Sequence, residues 1–511
     1  MNPINLHQIA VDAMRSRGLL PAFSPQALQE AEAARQASLE SHDAICDLRH
    51  LNWFSIDNDD TRDLDQLSEA ESLPAGAARL LVAVADVDTK VALGGAVDAH
   101  AAANTTSVYT AAGVFPMLPE VLSTDLTSLH EGQERLAVVV EMQVEADGTV
   151  SSATLYRAVV LNHAKLTYDA VSAWLDGTAP PPPQIGKVPG LEAQVRLHDA
   201  LAGKLRQWRQ ARGALNVSTV SARPVFDAQG QLVDLRADTK NRAKDLIADI
   251  MIATNGATAR FLVDKGFPSL RRFLQSPRRW DRIAALATSH GVQLPAAPDA
   301  LALDRFLNAR RLADPAGFAD LSLAVVKLLG SGEYAAAPAA VEGANGASGL
   351  GHFGLAVNDY AHSTAPNRRF PDLVTQRLLK AAIAGDDRYG ALGVSQRADV
   401  YTPWRSGPLP SLDSLQEMAE VVRKVLANEA VPERQLRLVR PGASLGGARP
   451  KSLITMDGEP WLVKFSKGEE IDTPLVEHAT MELARSCGFE AATTRALPVG
   501  SGHAVAVRRF D

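Results

Sequence analysis

The sequence predicts an α+β protein of two or three domains. Three observations point there. Alternating and continuous apolar runs fill much of the text between residues 79 and 161. Two long helical stretches follow at 191–212 and 241–265, and the character changes again beyond about residue 385. The chain has 511 residues, 46% of them hydrophobic and 22% charged, which is enough for a large core divided among domains.

Ser24-Pro25 opens the first helix, with an N-cap residue followed by proline at the first helical position; QALQEAEAARQASLES extends it to about residue 41. RLLVAVADV (79–87) and LAVVVEMQVEADGTVSSATLYRAVVL (136–161) read as strands, with Asp147-Gly148 as a hairpin turn. Pro180 to Pro183 mark an exposed loop, and the two long helices end at Gly213 and Gly266. Residues 335–351 form a small-residue loop, and no repeat of 20–50 residues is visible.

No apolar run of ~18 residues stands out as a bilayer span. The start, MNPINLHQIAVDAMRSRG, lacks the apolar core and cleavage site of a secretory signal. Two cysteines, Cys46 and Cys487, exclude a disulfide scaffold and a four-cysteine zinc site. A cytoplasmic location without a membrane partner is the expectation. The net charge of −7 argues against indiscriminate coating of nucleic acid. It leaves room for an enzyme that threads a polyanion through a local basic channel.

The strongest local signal is Ser55-Ile56-Asp57-Asn58-Asp59-Asp60-Thr61-Arg62-Asp63-Leu64-Asp65-Gln66. Its aspartates repel one another unless water or a cation neutralises them. In extended chain Asp63 and Asp65 share a face, and a short loop can return Asp57 to it. Three convergent carboxylates suit Mg²⁺, which also binds substrate phosphates; the plain alternative is a solvated acidic loop. A calcium loop fits poorly, because Arg62 and Ser68 stand where glycine and glutamate are needed. Far downstream come Gly351-His352-Phe353-Gly354-Leu355 and Tyr360-Ala361-His362-Ser363-Thr364-Ala365-Pro366-Asn367-Arg368-Arg369-Phe370-Pro371-Asp372. Arginines behind a proline turn present planar donor forks to phosphate oxygens. The plain alternative is that Arg368 and Arg369 form structural ion pairs, with Asp372 as a partner.

Together these blocks resemble the catalytic domain of the ribonuclease II (RNB) family, a mixed sheet surrounded by helices, over about residues 46–385. Asp57, Asp63 and Asp65 match its first motif and Tyr360 to Leu373 its second. Ala85-Asp86-Val87, Ser107-Val108-Tyr109, Phe115 to Glu120, Leu166-Thr167-Tyr168 and Arg212 to Leu215 lie between them in family order. The resemblance implies processive hydrolysis of single-stranded RNA from the 3′ end to nucleoside 5′-monophosphates, with Mg²⁺ as cofactor, Mn²⁺ as its substitute and no action on DNA. Asp65, Asp63 and Arg368 would be catalytic. Asp57, Asp63, Asp65 and Gln66 would face the metal, and Tyr109, Tyr168, Arg368 and Arg369 would bind RNA.

Several positions depart from the family. Gln66 replaces a fourth aspartate, so one ion is the safer expectation. Val217 replaces a stacking phenylalanine. Ala248-Asp249 replace paired glutamates, which leaves Asp249 as an RNA-sensing candidate, with a helix-surface acid as the favoured reading. Residues 1–45 read as a helical extension too short for the family's flanking barrels. Weaker RNA retention and a preference for short, unstructured substrates are expected.

Residues 386–511 resemble instead a truncated HipA-type serine/threonine kinase, an incomplete kinase-like N-lobe. Ser444, Gly446 and Gly447 match a glycine-rich nucleotide loop, Lys464 a strand lysine and Glu477 its helix partner. Weak ATP affinity is implied. Phosphotransfer is not, because the catalytic-loop and metal-binding aspartates would lie beyond Asp511. Such a half-domain is expected to expose an apolar face.

Overall fold

In a computed structural model, residues 5–36, 45–110, 113–217, 221–226, 232–238, 240–274, 277–337, 351–384, 414–426, 451–466, 471–489, 491–500 and 502–508 are described. They fall into two units that divide near residue 380.

The first unit opens with helices α1 (Leu6–Arg15) and α2 (Pro25–Gln36). Its centre is a seven-stranded mixed sheet. The strands are β1 (Cys46–Asp47), β2 (Phe54–Asp57), β3 (Gln66–Ser72), β4 (Ala78–Ala85), β7 (Glu134–Val144), β8 (Val150–Leu161) and β9 (Ala164–Thr167). They lie in the order β1-β8-β7-β4-β3-β2-β9, antiparallel except for the β1/β8 and β2/β9 pairs. The Asp147-Gly148 turn joins β7 to β8 as the sequence requires, and Gly148 takes φ +88. Between β4 and β7 lie α3 (Ala96–Asn104) and a short hairpin of β5 (Val108–Thr110) and β6 (Gly113–Phe115).

The apolar continuity of β4 has a physical cause, since both of its faces are buried. Leu81, Ala83 and Ala85 join Ala137, Val139, Val97 and Leu373 in one core cluster. Leu80, Val82 and Val84 fill the opposite face, equally buried. Beyond β9 come α4 (Tyr168–Leu175), α5 (Pro183–Lys187), α6 (Leu191–Gln210), the hairpin β10 (Ser221–Phe226)/β11 (Leu232–Asp238), and α7 (Arg242–Asp264). Among the described residues α7 alone is long and apolar enough to cross a membrane, which the dispersed look of the sequence did not suggest. It is a core helix, buried at Leu246, Ile250, Ala257, Phe261 and Leu262. The unit continues with β12 (Ser269–Phe273), α8 (Trp280–Ser289), α9 (Ala300–Ala313), α10 (Phe318–Leu329), β13 (Glu333–Ala337), which pairs β12, and α11 (Phe370–Ala384).

The second unit contains α12 (Leu415–Leu426), α13 (Thr473–Ser486) and an antiparallel sheet of β14 (Lys451–Met456), β15 (Glu459–Lys464), β16 (Thr494–Val499) and β17 (Gly502–Arg508) in the order β14-β15-β17-β16. Leu415, Met418, Ile454, Trp461, Val463 and Ala506 form its core. Ile471, Val476, Leu483 and Phe489 are exposed.

Candidate active site

Strand β2 ends at Asp57, whose Oδ1 accepts from the Asn58 amide (2.7 Å) and the Thr61 hydroxyl (2.8 Å), turning the chain back on itself. Ser128 then clamps the return. Its hydroxyl accepts from the Leu64 amide (2.9 Å) and donates to the Arg62 carbonyl (2.8 Å). Leu64 is buried in the core cluster, so its neighbours Asp63 and Asp65 present to the opposite side, as the two-residue period demands. Strand β9 delivers a second element, because Asp57 pairs in register with Thr167 and Tyr168 follows as the first residue of α4.

The third element is the segment before α11. Asn255 on α7 accepts from both the amide and the hydroxyl of Ser363 (2.9 Å each). At the other end Asp372 accepts from the Ala365 amide (2.8 Å) and from Arg369 (2.7 Å). Between these anchors the Asn367 amide donates to Asp65 Oδ1 (3.1 Å), and Arg368 Nε lies 3.3 Å from Asp65 Oδ2. Lys380 and Arg377 on α11 pair with Asp86 and Asp88 just beyond β4 (2.9 Å each), locking the helix to the sheet.

Electrostatics binds the three elements into one pocket. Asp65 has 2% of its side chain exposed, whereas Arg368 keeps 45% open. The Asp65 carboxyl is pushed up to about 7, chiefly by burial, which outweighs the pull of Arg368 and is joined by the push of Asp63. Asp63 is raised by burial, with Asp57 adding to the shift. For Arg368, burial opposes the charge, and Asp65, Tyr109, Asp57 and Asp63 together hold it firmly protonated. The Tyr109 and Tyr168 hydroxyls are both raised by burial, with Asp63 beside the first and Asp57 beside the second. One guanidinium facing three carboxylates leaves excess negative charge, and the buried Asp65 Oδ2 accepts no hydrogen bond.

Asp57, Asp63 and Asp65 bring hard oxygen donors of the kind a divalent cation takes, and Asp63 feels both of the others. Among the described residues no group of three or more His, Cys, Asp or Glu side chains is arranged to hold a metal ion.

A family model described as the RNB domain matches residues 45–385. The chain belongs to the RNB-domain family. It is 34% identical over 347 residues to ribonuclease R of Vibrio parahaemolyticus, covering 67% of this chain and 39% of that one. To exoribonuclease 2 of Escherichia fergusonii it is 32% identical over 345 residues, 66% of this chain and 51% of that one. The chain thus spans about half or less of these relatives' length. Mycoplasma genitalium RNase R in complex with double-stranded RNA shares the fold at a TM-score of 0.64 and 23% identity, covering 74% of this chain and 65% of that one. Yeast Ssd1, a pseudonuclease, superimposes with a TM-score of 0.51 at 16% identity, covering 68% and 42%. A second model, the HipA-like C-terminal domain, matches residues 443–511.

Within the RNB domain the structure unites Asp57, Asp63, Asp65, Tyr109, Tyr168 and Arg368 and separates other candidates from them. The Gln66 amide nitrogen donates to the Thr364 carbonyl and straps the arginine segment to β3. Arg369 is not an RNA contact in this arrangement; it pairs with the fully buried Asp372 and donates to Thr364. Asp249 is no surface acid. It is buried in α7 between Arg206 (2.7 Å) and Arg209 on α6, lining cavities of about 650 and 420 Å³. Val217 packs against the cluster around Trp280 and Phe306 and also lines the smaller cavity.

In the C-terminal unit Lys464 does meet Glu477, at 2.5 Å, while Ser444, Gly446 and Gly447 lie outside the described residues. Sequence reasoning missed Asn367 and Ser128. Their contribution comes from one amide and one hydroxyl placed by distant strands, and no spacing rule announces that.

Proposed function

We propose that this RNB domain is a divalent-metal-dependent 3′-to-5′ exoribonuclease that hydrolyses single-stranded RNA to nucleoside 5′-monophosphates. The observation that carries the reading is the meeting of Asp65 with Asn367 and Arg368, residues some 302 positions apart, beside Asp57 and Asp63. Asp65 orients the Arg368 guanidinium by its Nε edge, which leaves a half-exposed fork for the phosphate of the terminal bond. Tyr109, 58% exposed on the β5–β6 hairpin, offers a ring on which any terminal base stacks. Asp57, Asp63 and Asp65 would offer their oxygens to the cation, Mg²⁺ or Mn²⁺, which when bound would supply positive charge beside the phosphate and lower the pKa of a water. Selection of RNA over DNA requires a contact to the 2′-hydroxyl, and the Tyr168 hydroxyl, at the start of α4 beside Asp57, is a donor suited to it.

The test uses RNA labelled at the 3′ or the 5′ end, incubated with Mg²⁺ or Mn²⁺. Immediate release of labelled mononucleotide from the 3′ label, beside a stepwise ladder from the 5′ label, is expected. Internal fragments, or activity untouched by chelation, would refute it. A second reading, RNA binding without hydrolysis, draws on Gln66, whose amide is spent on Thr364 where a further carboxylate would add charge. It predicts retained RNA and no mononucleotide. For the C-terminal unit, the Lys464–Glu477 pair supports weak ATP affinity. A cytoplasmic location accords with RNA as the substrate.

A further inference from the structure

Residues 5–36 supply none of the candidate site's side chains, yet they are built into the wall that holds two of them. Leu20 and Asn104 exchange paired hydrogen bonds: the Leu20 amide donates to Asn104 Oδ1 and Asn104 Nδ2 donates to the Leu20 carbonyl, both at 2.8 Å. Asn104 is buried and is the last residue of α3. At the other end of α3 the Glu30 carboxylate, from α2, accepts from the Ala96 amide (2.6 Å) and approaches the Val97 amide (3.4 Å). It caps a helix whose own N-cap residue is Gly95. A Cβ at Gly95 would collide with that carboxylate. Phe23 packs against His100 (4.2 Å between centroids), and His7 stacks on Phe115 of β6 (5.5 Å).

The element so held leads directly into the pocket. Thr105, next after Asn104, sits at φ 60, a left-handed conformation that a β-branched residue adopts only under constraint. Its carbonyl accepts from the Phe370 amide (2.8 Å). Thr106 Oγ1 and the Ser107 amide both donate to the Arg368 carbonyl (2.9 Å each), and Tyr109 follows two residues later.

We propose that the N-terminal helices are a brace for the candidate active site. Through Asn104 and Glu30 they fix the left-handed corner at Thr105, which aligns Tyr109 with Arg368 for the terminal nucleotide. Asn104 and Glu30 are positioning residues. The inference rests on the reading that Tyr109 and Arg368 receive the RNA 3′ end.

The consequence differs from simple loss of stability. Without the Asn104 hydrogen bonds the corner relaxes and Tyr109 shifts, while Asp65 still holds the Arg368 guanidinium. Asn104→Ala is therefore expected to raise KM for a short RNA about tenfold and to leave kcat within about threefold. Adding Thr105→Gly, which adopts φ > 0 without strain, should restore KM towards the wild-type value. Glu30→Gln tests the other end of α3 with a smaller rise in KM, about threefold. It also stands in should Asn104→Ala not fold. Unchanged KM in the folded variants overturns the proposal, and so does a KM that stays raised in the Asn104→Ala/Thr105→Gly protein. If the wild type releases no mononucleotide, the exoribonuclease reading fails instead. Kd for a 3′-fluorescent oligomer, measured across the same variants in an Asp65→Asn background, then decides the brace separately.

Discussion

Replacing Asp249 with alanine separates a structural role for this acid from a role in sensing RNA. Its side chain is 6% exposed and accepts from Arg206 and Arg209, which are 36% and 11% exposed. The Arg206 arm contributes little, because that guanidinium reaches water and keeps Asp245 at 4.0 Å. The cost falls on Arg209, left charged and largely buried beside Arg206, and Arg209 Nε already has no hydrogen-bond partner. Breaking a buried pair from one side costs about 3 kcal/mol. Urea unfolding followed by far-UV circular dichroism should show that loss for Asp249→Ala. The pair Asp249→Leu with Arg209→Met should regain most of it, because no charge is then stranded. KM for RNA in the folded fraction should stay within about twofold. A stability change under about 1 kcal/mol together with a KM rise above about tenfold would refute the argument and return Asp249 to the RNA path.

Three further outcomes are expected. Tyr109→Ala should weaken the grip on a short RNA by roughly 10- to 100-fold in Kd, the usual worth of one base–aromatic stack, with a filter-binding series as the readout. His198, buried against Phe54 and held near pKa 4 by burial, stays neutral in the fold, whereas the unfolded chain protonates it below 6.5. The unfolded state therefore binds the extra proton, and stability falls as pH drops from about 6.5 to about 4, by about 3 kcal/mol in all. Urea midpoints of His198→Phe should lose that part of the pH slope, and an unchanged slope would contradict it. Lys464→Ala should abolish whatever ATP affinity calorimetry detects, because it removes the cation paired with Glu477.

How far the sequence carried depends on the kind of signal. The β7–β8 hairpin was legible because Asp147-Gly148 needs a positive φ and both flanks alternate. The long helices α6 and α7 were legible from their caps and length. The strands that bring Asp57 and Tyr168 together, β2 and β9, were hidden by shortness: four residues each leave too few alternations to read. Helix α3, AVDAHAAAN, has alanine on every side and no apolar stripe.

At the site, residue types announced Asp57, Asp63, Asp65 and Arg368. They could not distinguish Arg368 from Arg369, adjacent and chemically identical. The structure separates them by partner, since Asp65 faces the pocket and Asp372 is buried behind it. Asp249 was misjudged for a related reason: its two arginines come from another helix some forty residues earlier, beyond any local pattern.

The account turns on Asp65 and Arg368 acting as one unit, and a double-mutant cycle in single-turnover RNA cleavage measures that directly. Asp65→Asn should lose most, because it removes a cation-facing carboxylate as well as the partner of Arg368, and adding Arg368→Lys to it should cost little more, because the shared pair is already broken. Losses that multiply, with the combined variant slower by the product of the two single effects, would mean that the two groups act independently and would contradict it.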